Sequence, residues 1–456
     1  MFENIISQDA AAQLRDDIQS NHLAPSMLFY GPAASGKGSA ALELARVLSC
    51  EKSAAWNCSC PACVRHRYLS HSDLVMLGPR SFSAEIAAAR AAYLRDPGAS
   101  ATKLLFIRSL RKLTARFSPV LREDDAKLGK LNPLLLAVEE GLAEFESAAV
   151  AVDNAGSEPG ADNGGMADIE KFCDSLLKNA IKLESEGLGE FIPIAQIRKA
   201  AYWSRLAPSG KQKTLIIENA DRMQEGARNS LLKLLEEPPA TINIVLTAKR
   251  REAIMPTLLS RLRPYRFLKR GAEKESEVIR RVFRDTADSA DSGGLARYLD
   301  SFLPQPDDKL RALAAFFVTS LARAAVLKLK QDGAAWIPAE LTALGAYCAP
   351  FAEAAGFPKS HSSGEVCALI LAESADFEGR SFSRFLRFCL DFVSAALQKN
   401  GAYPHSIAYN DIWRKNTAQA DMAAGVWNQN PALALEAFFY GLRSSMIDTG
   451  LRAEAS

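Results

Sequence analysis

Short apolar runs separated by amphipathic segments dominate the chain up to about residue 268. The runs show no polar alternation, which is typical of strands buried on both faces of a parallel sheet; they are SMLFY (26–30), TLII (214–217) and INIVLTA (242–248). The segments with apolar residues at helical spacing are DAAAQLRDDIQSN (9–21), GSAALELARVLSC (38–50) and ARNSLLKLLEEPP (227–239), the last of which ends at two prolines. This pattern predicts an α/β fold, a parallel sheet with helices on both faces.

Two other regions lack strand patterns. After about residue 268 the apolar residues repeat at helical spacing, as in FSRFLRFCLDFVSAALQKN (382–400), which predicts an all-α region. Between about 85 and 190 the segment FIRSLRKLTARFSPVLRED predicts a basic helix, and its Arg and Lys residues are more typical of a solvated face than of a contact with DNA or a partner. Residues 151–168, rich in glycine and acids, predict a linker.

Composition narrows the class of protein. The chain has 456 residues, of which 48% are apolar and 24% charged, which predicts a globular protein of several domains. The formal charge of +2 gives no strong nucleic-acid signature. No basic and apolar leader begins the sequence, and Arg323 interrupts the most apolar stretch, so we expect a cytoplasmic protein without a membrane segment.

The stretch GPAASGKGSA (31–40) matches the front of a phosphate-binding loop, G-x-x-x-x-G-K-[ST], between a predicted strand and a predicted helix. Gly31, Gly36 and Lys37 fit the phosphate contacts, but Gly38 stands where a magnesium-binding hydroxyl is expected. Ser39 lies one residue further, about 100° round the helix, and is a poor substitute. A glycine-rich helix entry without nucleotide is the alternative.

The second nucleotide motif is also incomplete. In TLIIENAD, Glu218 and Asn219 replace the Asp-Glu pair that serves magnesium and water. Glu218 can still reach a cation through water, whereas Asn219 cannot take up a proton. Thr247, at the end of its strand, either faces the γ-phosphate or caps the strand. The two motifs therefore do not decide whether the chain binds ATP, and we do not expect the chain to hydrolyse it.

Four of the eight cysteines cluster in one short segment, CEKSAAWNCSCPAC. Cys50, Cys58, Cys60 and Cys63 are separated by seven, one and two residues, which in a reducing compartment indicates a metal site rather than disulfides. The single-residue gap is tight, so His66 is an alternative to one thiol. A cysteine-rich loop without metal is the other alternative.

Residues 191–264, which contain NSLLKLLEEPP, resemble the AAA+ core of bacterial clamp-loader subunits, the DNA polymerase III gamma/tau and delta-prime group. ISQDAAAQLRDDIQSNHLAPSMLFYGP and HSDLVML are similar to the N-terminal part of that family. The resemblance covers 1–80 and 190–270. It implies an AAA+ domain over 1–268 with a zinc module at about 50–66 and an insertion at about 85–190, a helical lid over 269–305, and a helical collar over 306–456 that joins a ring.

The degenerate motifs are similar to those of delta prime, the stator of the complex, rather than to those of the gamma/tau ATPase, which remains the alternative. The resemblance implies four zinc ligands in the cysteine cluster, and an arginine finger, Arg261 in SRL, that serves a neighbouring subunit's ATP. An exposed Arg261 with no such role is the plain alternative.

The implied partners are the delta and gamma/tau subunits, the sliding clamp and primer–template DNA. The chain would be part of a DNA polymerase holoenzyme without being an ATPase itself. A third hypothesis is a stand-alone zinc-containing nucleic-acid-binding protein.

Overall fold

A computed structural model describes the chain except for residues 123, 124, 126, 127, 156–162, 190, 287–293, 304–306, 335, 358–361, 375, 376, 378–380, 400–403, 426–428, 455 and 456. The chain divides into two compact units, Met1–Leu303 and Pro304–Ser456. The predicted boundary between lid and collar, 305/306, lies close to this division.

The N-terminal unit contains one five-stranded sheet in which every neighbouring pair is parallel. Its strands are β1 Ser26–Tyr30, β2 Leu74–Leu77, β3 Lys213–Ile217, β4 Ile242–Ala248 and β5 Arg263–Arg266, in the spatial order β2-β3-β4-β1-β5. The three predicted strands are present as β1, β3 and β4. Parallel pairing places the carboxyl ends of all five strands at one edge, where ligands bind in folds of this kind.

Alternate residues of the strands enter two separate cores. In β3, Leu215 and Ile217 pack in one core and Ile216 in the other. Helices cover both faces, because each face is apolar and neither can remain in water. The helices of this unit are α1 Asp9–Gln19, α2 Lys37–Ser49, α3 Pro61–Arg67, α4 Ser83–Arg95, α5 Ser100–Thr114, α6 Pro119–Arg122, α7 Leu128–Ala155, α8 Asn163–Gly187, α9 Ile194–Arg205, α10 Glu225–Glu236, α11 Pro256–Leu259, α12 Ala272–Val282 and α13 Leu295–Asp300.

The segment 85–190 is a helical subdomain with its own core. Residues of α4, α5, α7 and α8, among them Phe106, Leu110, Phe145 and Leu176, pack together there. The predicted linker 151–168 is helical at both ends, since α7 reaches Ala155 and α8 begins at Asn163; its middle, 156–162, lies outside the described residues. The lid helices α12 and α13 share a core with α4.

The C-terminal unit is all-α, as its pattern predicted. Its helices are α14 Asp307–Gln331, α15 Ala339–Ala354, α16 Ser363–Glu373, α17 Ser381–Lys399, α18 Ser406–Gly425 and α19 Pro431–Glu454. By length and apolar composition the residues Asp308–Gln331 of α14 could cross a membrane, although Arg323 lies within them. The helix is instead the centre of the unit's core, where Phe316, Phe317 and Leu321 are buried, which is the ordinary reason for such an apolar helix.

Candidate functional site

The phosphate-loop sequence forms the turn between β1 and α2. Gly31 must be glycine, since a Cβ there would lie 2.0 Å from the carbonyl oxygen of Phe267. Gly36 precedes α2 in the left-handed region, with φ of 96°. Arg270 holds the loop from the lid side: its Nη1 donates to the carbonyl of Ala34 at 2.8 Å and its Nε to that of Ile6 at 2.9 Å.

Lys37 points back into its own loop. Its Nζ donates to the carbonyls of Gly31 at 2.7 Å and Pro32 at 2.5 Å, and to Ser35 Oγ at 3.2 Å. Burial, assisted by the positive charge of Lys249, lowers the pKa of Lys37 to about 8. The amine would have to leave these three oxygens before it could contact a phosphate.

Glu218, at the carboxyl end of β3, is buried and forms ion pairs with two arginines. Arg80 Nη1 lies 3.3 Å from Oε1, and Arg116 Nη2 contacts Oε2. The ring of Phe82 lies 5.4 Å from each of the two guanidinium groups. Burial opposes ionisation of Glu218, but the two arginines outweigh it and hold its pKa below the ordinary value. The carboxylate is thus already neutralised by protein cations.

The cation network extends beyond Glu218. Arg80 also pairs with Glu85, and Lys112 pairs with the other oxygen of Glu85. Despite its burial, the carboxyl of Glu85 therefore has its pKa lowered to about 2. Three cations and two carboxylates occupy the neighbourhood where a nucleotide-bound magnesium ion would be expected.

Gly38 lies directly against this network. A Cβ at Gly38 would be 2.8 Å from Oε1 of Glu218 and 3.6 Å from Nη1 of Arg80. The glycine at position 38 and the neutralised carboxylate of Glu218 therefore depend on each other, since a serine side chain at this position would need the space that the carboxylate occupies. Ser39 is exposed.

Asn219 and Thr247 bind to each other. Asn219 is left-handed, with φ of 50°, and its N–H donates to Thr247 Oγ1 at 3.1 Å. Its Nδ2 donates to the carbonyl of Pro79 at 2.6 Å. The Thr247 hydroxyl thus joins the ends of β3 and β4, which is the strand-capping role.

Arg261 follows the short helix α11 and is held on the surface. Its Nη2 lies 2.7 Å from Oε1 of Glu236, at the end of α10, and its Nη1 donates to the carbonyl of Thr257 at 2.7 Å. About a third of the side chain is exposed, at 34%. Because the ion pair lies at the surface, another anion can replace the Glu236 carboxylate as the partner of Arg261.

The four clustered cysteines converge. The ligand atoms of Cys50, Cys58, Cys60 and Cys63 all lie within 4.8 Å of one another. Cys50 Sγ is 3.6 Å from that of Cys58 and 3.9 Å from that of Cys60. Tetrahedral zinc with bonds of about 2.3 Å needs sulfur atoms about 3.8 Å apart, so the donor set fits zinc and the single-residue gap is no obstacle.

The surroundings act differently on the individual sulfur atoms, since burial and hydrogen bonds with Cys50 and Cys60 raise the pKa of Cys63 to about 12. The backbone N–H groups of Lys52 and Ala54 donate to Cys50 Sγ at 3.3 and 3.2 Å, and Arg46 Nη1 donates to Cys63 Sγ at 3.0 Å. Although burial opposes it, hydrogen bonds from backbone groups and neighbouring thiols lower the pKa of Cys60 to about 6.

His66, the alternative ligand, lies outside the cysteine cluster. Its ring stacks on His71, with centroids 4.2 Å apart. Both ring nitrogens are buried, and neither has a hydrogen-bond partner in the part of the chain that the structure describes. Burial lowers the pKa of His66 to about 3, so the ring is neutral.

The basic helix does not have the solvated face that its sequence predicted. Arg108 and Arg111 of α5 donate to backbone carbonyls beside the cysteine module, those of Arg67 and Tyr68, both at 2.6 Å. Arg116, just beyond α5, pairs with Glu218. These residues make internal contacts, so the prediction was wrong. The partners lie far away in the sequence, 41 and 43 residues before Arg108 and Arg111, and 102 residues after Arg116.

The loop, the strand order and the helices on both faces define a P-loop domain of the AAA+ class. Residues 6–118 and 138–270, more than half of the chain, match the sequence family described as "DNA polymerase III, delta subunit". The chain belongs to this family of clamp-loader subunits, the gamma/delta-prime group. The match includes 85–118 and 138–190, most of the segment interpreted as an insertion.

A solved structure is also similar in sequence. It is a DNA polymerase III gamma-subunit-related protein from Thermotoga maritima, 22% identical, covering 57% of this chain and 81% of its own, with a TM-score of 0.28. A TM-score this low supports no structural argument about this chain. No curated protein matches the chain.

Proposed function

We propose that the chain is the delta-prime-type stator of a clamp loader, with ATPase motifs that no longer perform hydrolysis. The observation that carries this proposal is the state of Glu218. A carboxylate paired with both Arg80 and Arg116 has no free charge to offer a magnesium ion, and Gly38 supplies no hydroxyl. Phosphoryl transfer in P-loop proteins depends on that ion, so this subunit would not hydrolyse ATP.

The contribution to catalysis would be made in trans by Arg261. The residue follows α11 on the surface and has a shallow ion pair with Glu236. In a ring, the γ-phosphate of a neighbour's ATP would displace the Glu236 carboxylate, and the planar guanidinium would stabilise the transferring phosphoryl group. The neighbours would be the delta and gamma/tau subunits, which load the sliding clamp on primer–template DNA in the cytoplasm.

Zinc would be held by Cys50, Cys58, Cys60 and Cys63. The sulfur spacing and the donors to Cys50 and Cys63 support this assignment. Its role would be structural, since four thiolates leave no open coordination position for substrate.

The test is reconstitution with the cognate ATPase subunits, comparing wild type with Arg261→Ala. The matched control is Arg263→Ala, an exposed arginine two positions away that lies 3.6 Å from Asp17. We expect Arg261→Ala to assemble normally and to lower clamp-stimulated ATPase activity at least tenfold, with Arg263→Ala unchanged. Equal activity of all three proteins would contradict the role of Arg261.

A turnover assay of the isolated chain separates the stator from a gamma/tau-type ATPase. We expect no ATP hydrolysis above the rate of a Lys37→Ala variant. Robust hydrolysis that is lost in Lys37→Ala would assign the chain to the active type.

A further inference from the structure

Arg46 is a buried arginine in the last turn of α2, and all of its donors are used. The residue is 2% exposed, and a guanidinium carries five N–H groups. Nε donates to Glu43 Oε2 at 2.8 Å, and Nη2 donates to Glu43 Oε1 at 2.7 Å. Nη2 also donates to the carbonyl of Ala54 at 3.0 Å, and Nη1 donates to that of Ala55 at 3.2 Å and to Cys63 Sγ at 3.0 Å. Each donor therefore has an acceptor.

These contacts join three segments around the cysteine cluster that are separate along the chain. Glu43 and Arg46 belong to α2, whereas Cys63 lies in α3. The two carbonyls belong to the loop that connects Cys50 to Cys58. The planar fork of a guanidinium fixes the direction of each hydrogen bond. The loop and α3 are therefore held against the end of α2 by protein contacts alone.

Glu43 orients this guanidinium towards the cysteines. Its two oxygens bind one edge of the fork, its side chain is 3% exposed, and Oε1 also accepts from the backbone N–H of Phe2 at 3.2 Å. The remaining nitrogen, Nη1, consequently points to Cys63. The four clustered cysteines are at most 8% exposed. A charged donor in contact with such a sulfur replaces the hydration that burial removes from a thiolate.

We propose that Arg46 is a positioning residue of the cysteine site and that it sets the affinity of this site for zinc. The inference rests on the zinc assignment proposed above and adds a residue that does not itself bind the metal. Arg46 places Cys63 and the loop before zinc arrives, so metal binding requires less ordering of the chain. Its N–H group also stabilises the Cys63 thiolate once the metal is bound.

Zinc affinity, measured in competition with a chromogenic chelator, gives the first test. Arg46→Met alone would leave the Glu43 carboxylate buried without its partner, so Glu43→Gln is compared with the double variant Glu43→Gln/Arg46→Met. We expect the double variant to bind zinc about 10–100-fold more weakly. Arg65→Met, which removes an exposed arginine two positions from Cys63, should retain the affinity of wild type. Equal affinities of the single and the double variant would overturn the proposal.

Arg46→Lys provides a second variant that keeps a positive charge beside Glu43, so the buried carboxylate retains a partner. A single ammonium group cannot contact Glu43, the loop and Cys63 together, because it lacks the fork of the guanidinium. We expect weaker zinc binding in a folded Arg46→Lys protein. The affinity of wild type in this variant would contradict the positioning role.

Cobalt(II) in place of zinc gives a readout that a purely structural role of Arg46 would not change. A hydrogen bond to a thiolate lowers the energy of the sulfur lone pairs and raises the energy of the sulfur-to-cobalt charge-transfer band. This band should therefore lie at longer wavelength in the double variant than in Glu43→Gln, and an identical band would contradict the contact with Cys63. A wild-type chain that binds neither metal would refute both the zinc assignment and this inference. Zinc binding that is unaffected by Arg46 would refute the inference alone.

Discussion

Gly38 and Glu218 approach so closely that a Cβ added to the glycine would lie 2.8 Å from Oε1 of the carboxylate. Gly38 stands where the first nucleotide motif usually has a magnesium-binding hydroxyl, and Glu218 is the altered acid of the second motif. The two substitutions are therefore complementary: the space that the first leaves is filled by the second.

Restoring the hydroxyl alone should not restore activity. Gly38→Ser places a side chain against a carboxylate that two arginines hold in place, so we expect a loss of stability of about 1–2 kcal/mol and no gain in ATP hydrolysis. Urea denaturation and a turnover assay measure these. Gly271→Ser is the control, because this glycine caps α12 and a Cβ added to it would meet no atom within 4 Å among the described residues; it should be neutral or slightly stabilising. Activity in Gly38→Ser would show that magnesium can still reach the site.

Removing the charge of Glu218 should be costly. In Glu218→Gln the guanidinium of Arg116 stays buried and loses its ion partner, which costs about 3 kcal/mol in comparable pairs. Chemical denaturation measures the free energy of unfolding. In the control Glu277→Gln, a partly exposed carboxylate beside Lys274 and Arg281 is removed, and little change is expected. A Glu218→Gln protein as stable as wild type would mean that the ion pairs are not formed.

The amine of Lys37 should lose its proton at an unusually low pH. Its pKa in the fold is about 8, below the ordinary 10.5, because burial disfavours the charged amine. A group with a lowered basic pKa releases its proton on folding, so its contribution to stability improves as pH rises from about 8 towards 10.5. Wild type should therefore gain stability relative to Lys37→Met over that interval. Carbon-13 NMR of the dimethylated lysine should show a midpoint near 8; an unshifted midpoint would place the amine in solvent.

The cysteine cluster should hold one zinc ion per chain. Cys60→Ser removes a ligand and should lose the metal, measured by atomic emission, with a lower unfolding temperature. Cys173→Ser, which alters a buried cysteine in the core of the helical subdomain, should retain the metal. Zinc bound equally well to Cys60→Ser would point to other ligands.

Three strands of the five-stranded sheet, β1, β3 and β4, and helices such as α2 and α10 were predictable because their signals are local. An apolar run such as INIVLTA and the proline stop after ARNSLLKLLEEPP each lie within one window of sequence. The loop at 31–37 and the cysteine cluster were found for the same reason, and the structure brings the four sulfur atoms together. The neutralisation of Glu218 was not predictable. Arg116 is 102 residues away from it, and helical spacing alone cannot distinguish a cation facing water from one facing a distant acid.

The ion pair between Arg116 and Glu218 also sets an order of events during biosynthesis. A ribosome adding about 5–20 residues per second needs roughly 5–20 s to make the intervening chain. During that delay Arg116 has been made, while Glu218, the acid that neutralises it, has not yet been synthesised. The guanidinium of Arg116 must therefore stay hydrated until β3 has been synthesised and brings Glu218 beside it.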